Sequence, residues 1–367
     1  MQMESDSYVR VAAEDLKRTV AKLLEKSGAL PSHADIASDV LVTADLRGIE
    51  SHGVGRLLPY YISRLQKGFM NPRPDYSVVQ SFGATFVLDG DNGLGHPACH
   101  LAMQRCIELA KKFGVAMGGI RNSNHFGIAA YYSMMALKDN MVGICLSNSM
   151  PLVIPTFSKE RLLGTNPISI AVPAGKTRPF VLDMATSVAP IGKVQVGRRK
   201  GVQVPPQWGA DHRGRATSDP AQILEGGGLF PLGGPAETGG YKGYGLAAAV
   251  DIFSGVLTGA GFLSSVLSAQ SSPDPCQIGH FVMAIQVEAF MDIELFKERM
   301  DSFVRELQTA PLAEGSEKIF VAGEKEFLQW EVNMERGVPV HKKVWEELTA
   351  MAMDLGIRLP ATYPADF

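Results

Sequence analysis

The sequence predicts a mixed α/β protein that begins with a helical segment. Two stretches near the start, Ala12–Gly28 and Pro31–Gly48, carry apolar residues at helical spacing, and each stops at a glycine. From about Ser77 onward, short strand-like runs alternate with helix-like runs. This alternation is typical of an α/β fold.

The same patterns define the elements in chain order. A third helical segment is predicted over Val54–Gly68, and Asn71–Pro74 ends it because proline lacks an N–H and restricts its predecessor. The predicted strands are SVVQ, ATFVLDG, GVAMGGIR, VGICLSNS, PISIAVPAG, PFVLDMA and GHFVMAIQV. The predicted helices are HPACHLAMQRCIELAKKFG, IAAYYSMMALKDN, YKGYGLAAAVDIFSGVLTG, DIELFKERMDSFVRELQT and VHKKVWEELTAMAMDLG. Residues 196–241 are rich in Gly and Pro, and their apolar residues follow neither helical nor strand spacing. This predicts a long functional loop.

Composition and charge indicate a protein that binds a small molecule. The 367 residues carry 35 Lys plus Arg against 38 Asp plus Glu, so the broad basic surface of a nucleic-acid or membrane-surface binder is not expected. There is no apolar run of about 18 residues that would span a membrane, and the N-terminus does not resemble a secretory signal. The four cysteines are far apart and form no C-x-x-C pair, which predicts reduced thiols and a cytoplasmic location.

Two motifs suggest sites that their surroundings do not support. Gly93-x-Gly95-x-x-Ala98 has the spacing of a dinucleotide fingerprint, but the next predicted strand ends in Arg121 and Asn122 where an acidic residue is needed. We therefore favour a tight turn that leads into a helix. His96 and His100 have a metal-ligand spacing, yet no glutamate follows His96, so we predict packing roles and no metal site.

The run Ser51-His52-Gly53 is a stronger candidate. Ser51 could cap the helical segment that follows, which would leave His52 without a role. Alternatively, His52 exchanges a proton near neutral pH while Arg56 holds a carboxylate. Both interpretations fit the run alone.

Other polar residues stand where strands end or helices begin. His125 lies between a strand and a helix, Asp183 ends a strand, and Lys242 stands among glycines at a helix start. Each has a structural explanation, such as a cap or a solvated charge. Their occurrence together favours a ligand site at one edge of the sheet.

Six motifs in order resemble the malate/L-lactate dehydrogenase family of the second type. They are SHGVGRL, RNSNHFGIAAYY, GTNPISIAVP, VLDMATS, WGADHRGRATSDP and GGYKGYGLAAAVDIFSGVLTG, and the resemblance covers roughly residues 8–360. This family also contains ureidoglycolate dehydrogenase, diketogulonate reductase, sulfolactate dehydrogenase and Δ1-piperideine-2-carboxylate reductase. The resemblance implies hydride transfer between NAD or NADP and C2 of a small 2-hydroxy or 2-oxo acid.

The resemblance also implies roles for particular residues. The catalytic acid/base would be His52, oriented by Asp183, although His125 matches a histidine that some members use for proton abstraction, and the choice between the two histidines stays open. Arg56 and Thr165 would contact the substrate carboxylate. The cofactor would be held by Ser149, Asp183, Met184, Ala185, Lys242, Gly323, Glu324 and Lys325.

The implied fold is a non-Rossmann NAD(P)-binding α/β fold with a largely antiparallel sheet, commonly in a homodimer. Residues 1–75 and about 310–367 would form a helical, substrate-side domain, and residues 76–310 the cofactor-binding region. Three alternatives stay open: a cyclic-imine reductase, a ureidoglycolate dehydrogenase, and a non-catalytic NAD(P)-binding sensor. The segment 264–275 reads as a lid, a dimer contact or filler.

Overall fold

The computed structural model describes residues 7–364 of the chain. Its α-helices are α1 Ala13–Lys26, α2 Pro31–Leu46, α3 Ser63–Gln66, α4 Gly95–Phe113, α5 Ala129–Met135, α6 Ile191–Lys200, α7 Pro220–Leu224, α8 Gly240–Asp251, α9 Ile293–Thr309, α10 Glu324–Arg336 and α11 Lys342–Asp354. Its strands are β1 Tyr8–Val11, β2 Ser77–Phe82, β3 Thr85–Asp89, β4 Val115–Ser123, β5 Met141–Ser147, β6 Ile168–Val172, β7 Phe180–Met184, β8 Gly209–Ala210, β9 Gly228–Leu229, β10 Ile278–Gln286, β11 Val338–His341 and β12 Tyr363–Pro364.

The main sheet has seven strands in the order β2-β3-β4-β10-β5-β6-β7. Only β3 and β4 pair in parallel, joined through α4, and every other neighbouring pair in this sheet is antiparallel. The prediction of an α/β protein with a largely antiparallel sheet is therefore confirmed.

The strand directions bring the candidate residues to one edge of this sheet. Because β10 runs antiparallel between β4 and β5, those two strands point the same way, and β7 shares their direction through β6. The carboxyl ends of β4, β5 and β7 therefore lie at one edge, together with the start of β6. His125, Ser149 and Asp183 stand at those carboxyl ends, and Thr165 precedes β6.

Two large apolar clusters form the core. One joins both ends of the chain, because α1, α2 and the segment 54–70 pack against β11 and α11, and β1 pairs with β11. The other lies against the sheet, where α4 and α5 cover β4, β5 and β10. Within residues 7–364, we find no helix with the length and apolar character that a membrane crossing requires.

The structure differs from the predicted elements in three places. The segment Val54–Gly68 is not a regular α-helix but a 3₁₀ turn Val54–Arg56, a π-helical turn Leu57–Ile62 and α3, since Pro59 cannot donate an α-helical hydrogen bond. Residues 196–241 hold the end of α6, α7 and the short β8–β9 pair. The sequence patterns missed β1, α10, β11 and β12.

Candidate active site

A buried carboxylate shapes the turn that carries His52. Asp45, near the end of α2, is 3% exposed and accepts a hydrogen bond from the Val54 amide at 2.8 Å. A Cβ atom on Gly53 would lie 1.8 Å from its Oδ1 atom, so only glycine fits there. Burial raises the pKa of the Asp45 carboxyl well above its ordinary value. The sequence patterns do not single out Asp45, because it lies within the predicted helical stretch Pro31–Gly48.

This contact predicts the effect of two matched alanine substitutions. Gly53→Ala should lower the free energy of unfolding by about 1–3 kcal/mol, because the new methyl group displaces Asp45. Gly55→Ala is the control, since its Cβ would meet only Val344 Cγ2, at 3.6 Å. Urea denaturation of both variants measures the difference. Equal stabilities would contradict this account of the turn.

The His52 ring lies beside the His125 ring. The ring centroids are 5.5 Å apart with an interplanar angle of 21°. The Ser51 hydroxyl lies 2.9 Å from His52 Nδ1, so Ser51 acts on the histidine itself. Burial, followed by the nearby Arg56 charge, lowers the pKa of His52 to about 4. His52 is therefore neutral at physiological pH before any ligand binds.

Arg56 has no carboxylate partner among the residues that the structure describes. Its Nε atom donates to the Ser51 carbonyl at 2.6 Å, and its guanidinium lies over the Tyr60 ring at 4.6 Å from the centroid. No carboxylate in residues 7–364 lies within ion-pair distance of it. Because the planar guanidinium fits two carboxylate oxygens, an anionic ligand beside His52 would be held there.

The glycine motif 93–98 holds the His125 loop. A Cβ on Gly95 would lie 2.1 Å from the Asn124 carbonyl oxygen and 2.8 Å from that of His125. Asp89, at the end of β3, accepts from Arg121 Nε at 2.9 Å and Asn122 Nδ2 at 3.1 Å. Gly95 therefore serves close packing against the loop that follows β4, whereas a Cβ on Gly93 would meet Pro74 Cγ at 2.4 Å.

His96 and His100 lie on α4, and each packs its ring near a tyrosine ring. His96 is 0% exposed, its ring lies 4.7 Å from the Tyr61 ring, and neither of its ring nitrogens has a hydrogen-bond partner in the described chain. Burial lowers the pKa of His96 to about 3. The His100 ring lies 6.1 Å from the Tyr131 ring. His96 therefore belongs to the packing behind His125.

Asp183 does not orient His52, which corrects the expectation. Its Oδ2 atom accepts from the Ala130 amide in the first turn of α5 at 2.9 Å, and the described residues show no hydrogen bond between Asp183 and His52. The first turn of a helix leaves N–H groups free, and β7 delivers the carboxylate to them. Burial raises the pKa of Asp183 to about 6, and the nearby Arg47 charge opposes that shift.

Ser149 and Thr165 meet at the sheet edge. Ser149 Oγ accepts from the Thr165 amide at 3.0 Å, and a Cβ on Gly164 would lie 2.3 Å from that oxygen. The Thr186 amide donates to the Thr165 carbonyl at 2.8 Å, which links this corner to the end of β7, where Met184 is the last strand residue and Ala185 follows it. The structure thus brings these predicted residues together, and their contacts with a ligand stay predictions.

A cavity of about 290 Å³ joins residues that are distant in the sequence. Its lining includes Asp183, Gly323 and Lys325, together with Arg47 and Ile49 from the segment that precedes His52. Gly323 has φ +88°, and a Cβ there would lie 2.8 Å from Val181 Cβ. A strand end and a turn about 140 residues apart, both assigned to the cofactor by resemblance, thus form one concave surface.

Two other predicted cofactor residues, Glu324 and Lys242, do not point a free polar group into this cavity. Glu324 is buried and accepts from Lys318 Nζ at 2.5 Å and from Gln308 Nε2 at 3.0 Å, so its carboxylate fixes the turn itself. Lys242 is exposed near the start of α8 and does not line the cavity.

Arg47 is a further residue that sequence reasoning missed. It is 4% exposed, its guanidinium lies 4.8 Å from the Phe327 ring centroid, and it lines the cavity. Its Nε atom is buried without a partner within residues 7–364. A buried donor without an acceptor is costly, so this cation is suited to an anionic group in the cavity.

Comparison with known proteins identifies relatives along almost the whole chain. The family model described as malate/L-lactate dehydrogenase matches residues 11–349. Malate dehydrogenase of Pyrococcus abyssi is 42% identical over 354 residues, which cover 96% of this chain and 97% of that protein. L-Sulfolactate dehydrogenase of Methanocaldococcus jannaschii is 39% identical over 346 residues, which cover 94% of this chain and 97% of that protein.

A solved structure shows the same fold over almost the whole chain. Malate dehydrogenase from Pyrococcus horikoshii superposes with a TM-score of 0.89 at 38% identity, covering 98% of this chain and 99% of that one. The matches extend through both core clusters and include the candidate residues. The chain described here therefore belongs to the malate/L-lactate dehydrogenase family.

Proposed function

We propose that this chain moves a hydride between a nicotinamide cofactor and C2 of a small 2-hydroxy or 2-oxo acid, as a malate/lactate-type dehydrogenase. Its family gives the class of enzyme, a 2-hydroxyacid dehydrogenase. One observation carries the assignment of roles: two adjacent histidines lie beside Arg56, a cation with no carboxylate partner in the described chain.

The residue chemistry fits this reaction. We assign Arg56 to the substrate carboxylate, which would place C2 beside the two histidines. Reduction of a 2-oxo acid leaves an alkoxide that needs a proton, and His52 is assigned as the group that supplies it. Burial and, after it, the Arg56 charge lower the pKa of His52 in the free protein. A bound carboxylate would neutralise Arg56 and so remove the smaller of these two causes, which would raise the proton affinity of His52.

The cavity beside this pair supports nicotinamide binding without a Rossmann fingerprint. Asp183, Gly323 and Lys325 are assigned to the cofactor together with Arg47, whose buried Nε lacks an acceptor. Ile49 lines the same cavity three residues before His52, so the cofactor would lie next to the proton-transfer site. The bound cofactor supplies or accepts the hydride. These contacts suit either NAD or NADP.

Arg47→Gln tests this assignment. The Kd for NADH should rise about 10- to 100-fold, because a hydrogen bond to a charged group is worth about 1.5–3 kcal/mol. NADH fluorescence in the absence of substrate measures the change. Arg105→Gln is the control, since Arg105 lies over Phe86, at 5.2 Å, outside the cavity lining. Unchanged affinity in Arg47→Gln would remove this residue from the cofactor site.

We extend the proposal to domains, assembly and location. The core that joins α1, α2, β11 and α11 supports a substrate-side unit of residues 1–75 and about 310–367. Apolar side chains are exposed along α8 and the turn that follows it, namely Tyr241, Tyr244, Ile252, Val256 and Leu257. A contiguous apolar face of this kind suits a homodimer contact. The four free, buried cysteines favour the cytoplasm.

A substrate panel tests the proposed function. The purified chain is mixed with NADH or NADPH and with oxaloacetate, pyruvate, sulfopyruvate or a cyclic imino acid, and loss of the reduced cofactor is followed by absorbance. The reverse direction includes ureidoglycolate. We expect turnover with at least one 2-oxo acid. Tight cofactor binding without turnover would contradict the proposal and favour a sensor.

A further inference from the structure

His125 is held on one side by two donors. The Tyr61 hydroxyl lies 2.5 Å from His125 Nδ1, and the Gly127 amide donates to the same nitrogen at 3.4 Å. A backbone amide can only donate, so the Gly127 contact favours a lone pair on Nδ1. The tyrosine hydroxyl then also donates to Nδ1. This arrangement favours the neutral ring with its proton on Nε2.

We infer that Tyr61 and the Gly127 amide fix His125 as the neutral Nε2–H tautomer, which makes His125 a hydrogen-bond donor to the C2 oxygen and leaves proton exchange to His52. This inference rests on the proposed dehydrogenase function and adds Tyr61 as a positioning residue. It also separates the roles of the two histidines, which the sequence left open.

Tyr61 is fully buried and closely packed at this contact. It is 0% exposed, stands in the π-helical turn Leu57–Ile62, and packs its ring 4.7 Å from the ring of His96. Burial raises the pKa of the Tyr61 phenol above its ordinary value, so the hydroxyl keeps its proton. Gly127 has φ +81°, and a Cβ there would lie 2.6 Å from Val40 Cγ1. Both donors are thus fixed by close packing.

The surroundings keep His125 uncharged. Burial, and after it the neighbouring basic groups, lower the pKa of His125 well below its ordinary value. The groups that face it are His52, His96, Arg56 and His280, with the rings of Tyr60 and Tyr61. None of them is a carboxylate, so the charged imidazolium has no stabilising partner among them.

The other ring nitrogen is available to a ligand. His125 Nε2 has no hydrogen-bond partner in residues 7–364 and is not completely buried. A neutral Nε2–H group can donate a hydrogen bond to an oxygen on which negative charge develops. Full transfer of that proton would leave an imidazolate ring, which is unfavourable beside a buried phenol. His125 therefore stabilises the oxygen and keeps its proton.

Nuclear magnetic resonance of the unliganded protein tests the inference. Imidazole ¹⁵N shifts of ¹⁵N-histidine-labelled protein distinguish the two tautomers, and His125→Gln identifies the His125 signals. We expect a protonated Nε2 and an acceptor-type Nδ1. A protonated Nδ1 in the wild-type chain would overturn the inference whatever the activity is.

Tyr61→Phe supplies the second readout. Loss of its hydroxyl should shift the Nδ1 signal of His125 and mix the tautomers, while Tyr60→Phe should leave those signals in place, since the Tyr60 hydroxyl makes no hydrogen bond in the described chain. The kcat for 2-oxo acid reduction should fall about 10- to 100-fold in Tyr61→Phe, with little change in KM. Unaltered His125 signals and kcat would overturn the positioning role. Wild-type protein with the expected tautomer but no turnover would contradict only the proposed function.

Discussion

Replacing His52 with alanine should lower the kcat for 2-oxo acid reduction by about 100- to 10,000-fold, the usual contribution of a positioned acid/base. His52 is the histidine that can exchange its proton, because its Nδ1 meets only the Ser51 hydroxyl and its Nε2 has no partner in the described chain. NADH should still bind, since His52 does not line the cavity that holds Arg47 and Lys325. Steady-state kinetics and NADH fluorescence together measure both effects.

The matched control is His212→Ala, which removes an exposed histidine from the turn that follows β8. It should leave kcat unchanged. Near-normal kcat in His52→Ala between about pH 6 and 9 would show that another group carries the proton.

Replacing Arg56 with glutamine should lower kcat/KM for 2-oxo acids by about 100-fold or more, mainly through KM. A two-point charge-assisted contact with a carboxylate is worth about 3 kcal/mol or more. Arg56→Lys keeps the charge but loses the planar fork, so its kcat/KM should lie between those of wild type and Arg56→Gln. Substrate saturation curves for the three proteins measure this order. Equal KM values would exclude Arg56 from the carboxylate site.

The same pair of variants predicts a shift in the pH profile. Reduction needs protonated His52, and with the pKa of His52 lowered to about 4, the protonated fraction of the free enzyme falls as the pH rises. Arg56→Gln removes one cause of that low pKa, so the decline of kcat/KM should begin at higher pH than in wild type. Arg56→Lys keeps the charge and should keep the wild-type profile.

Local signals in the sequence predicted most of the elements that carry the candidate residues. Periodicity predicted α1, α2, α4 and the strands β3 to β7, so His125 and Asp183 could be placed at strand ends. The sequence around Gly93-x-Gly95 predicted a tight turn leading into a helix, because the next strand ends in Arg121 and Asn122 where a dinucleotide fingerprint needs an acidic residue. In the structure, Gly95 packs against the carbonyl groups of Asn124 and His125.

The remaining parts depend on tertiary contacts that no local pattern reveals. Asp45, Arg47 and Tyr61 stand in apolar or amphipathic helical segments and read as ordinary helix residues, although their contacts position the site. The pairing of Asp183 with His52 was wrong because the sheet order places the end of β7 against α5. The distance between these segments in the sequence is too large for spacing to show which will meet.

The most direct test of the central claim is a crystal structure with NADH and oxamate, an unreactive analogue of a 2-oxo acid. We expect the oxamate carboxylate on the Arg56 guanidinium at hydrogen-bond distances of about 2.7–3.2 Å, with the C2 oxygen facing Nε2 of His52 and His125. The cofactor should occupy the cavity lined by Arg47, Asp183 and Lys325. Oxamate bound away from both histidines would contradict the account.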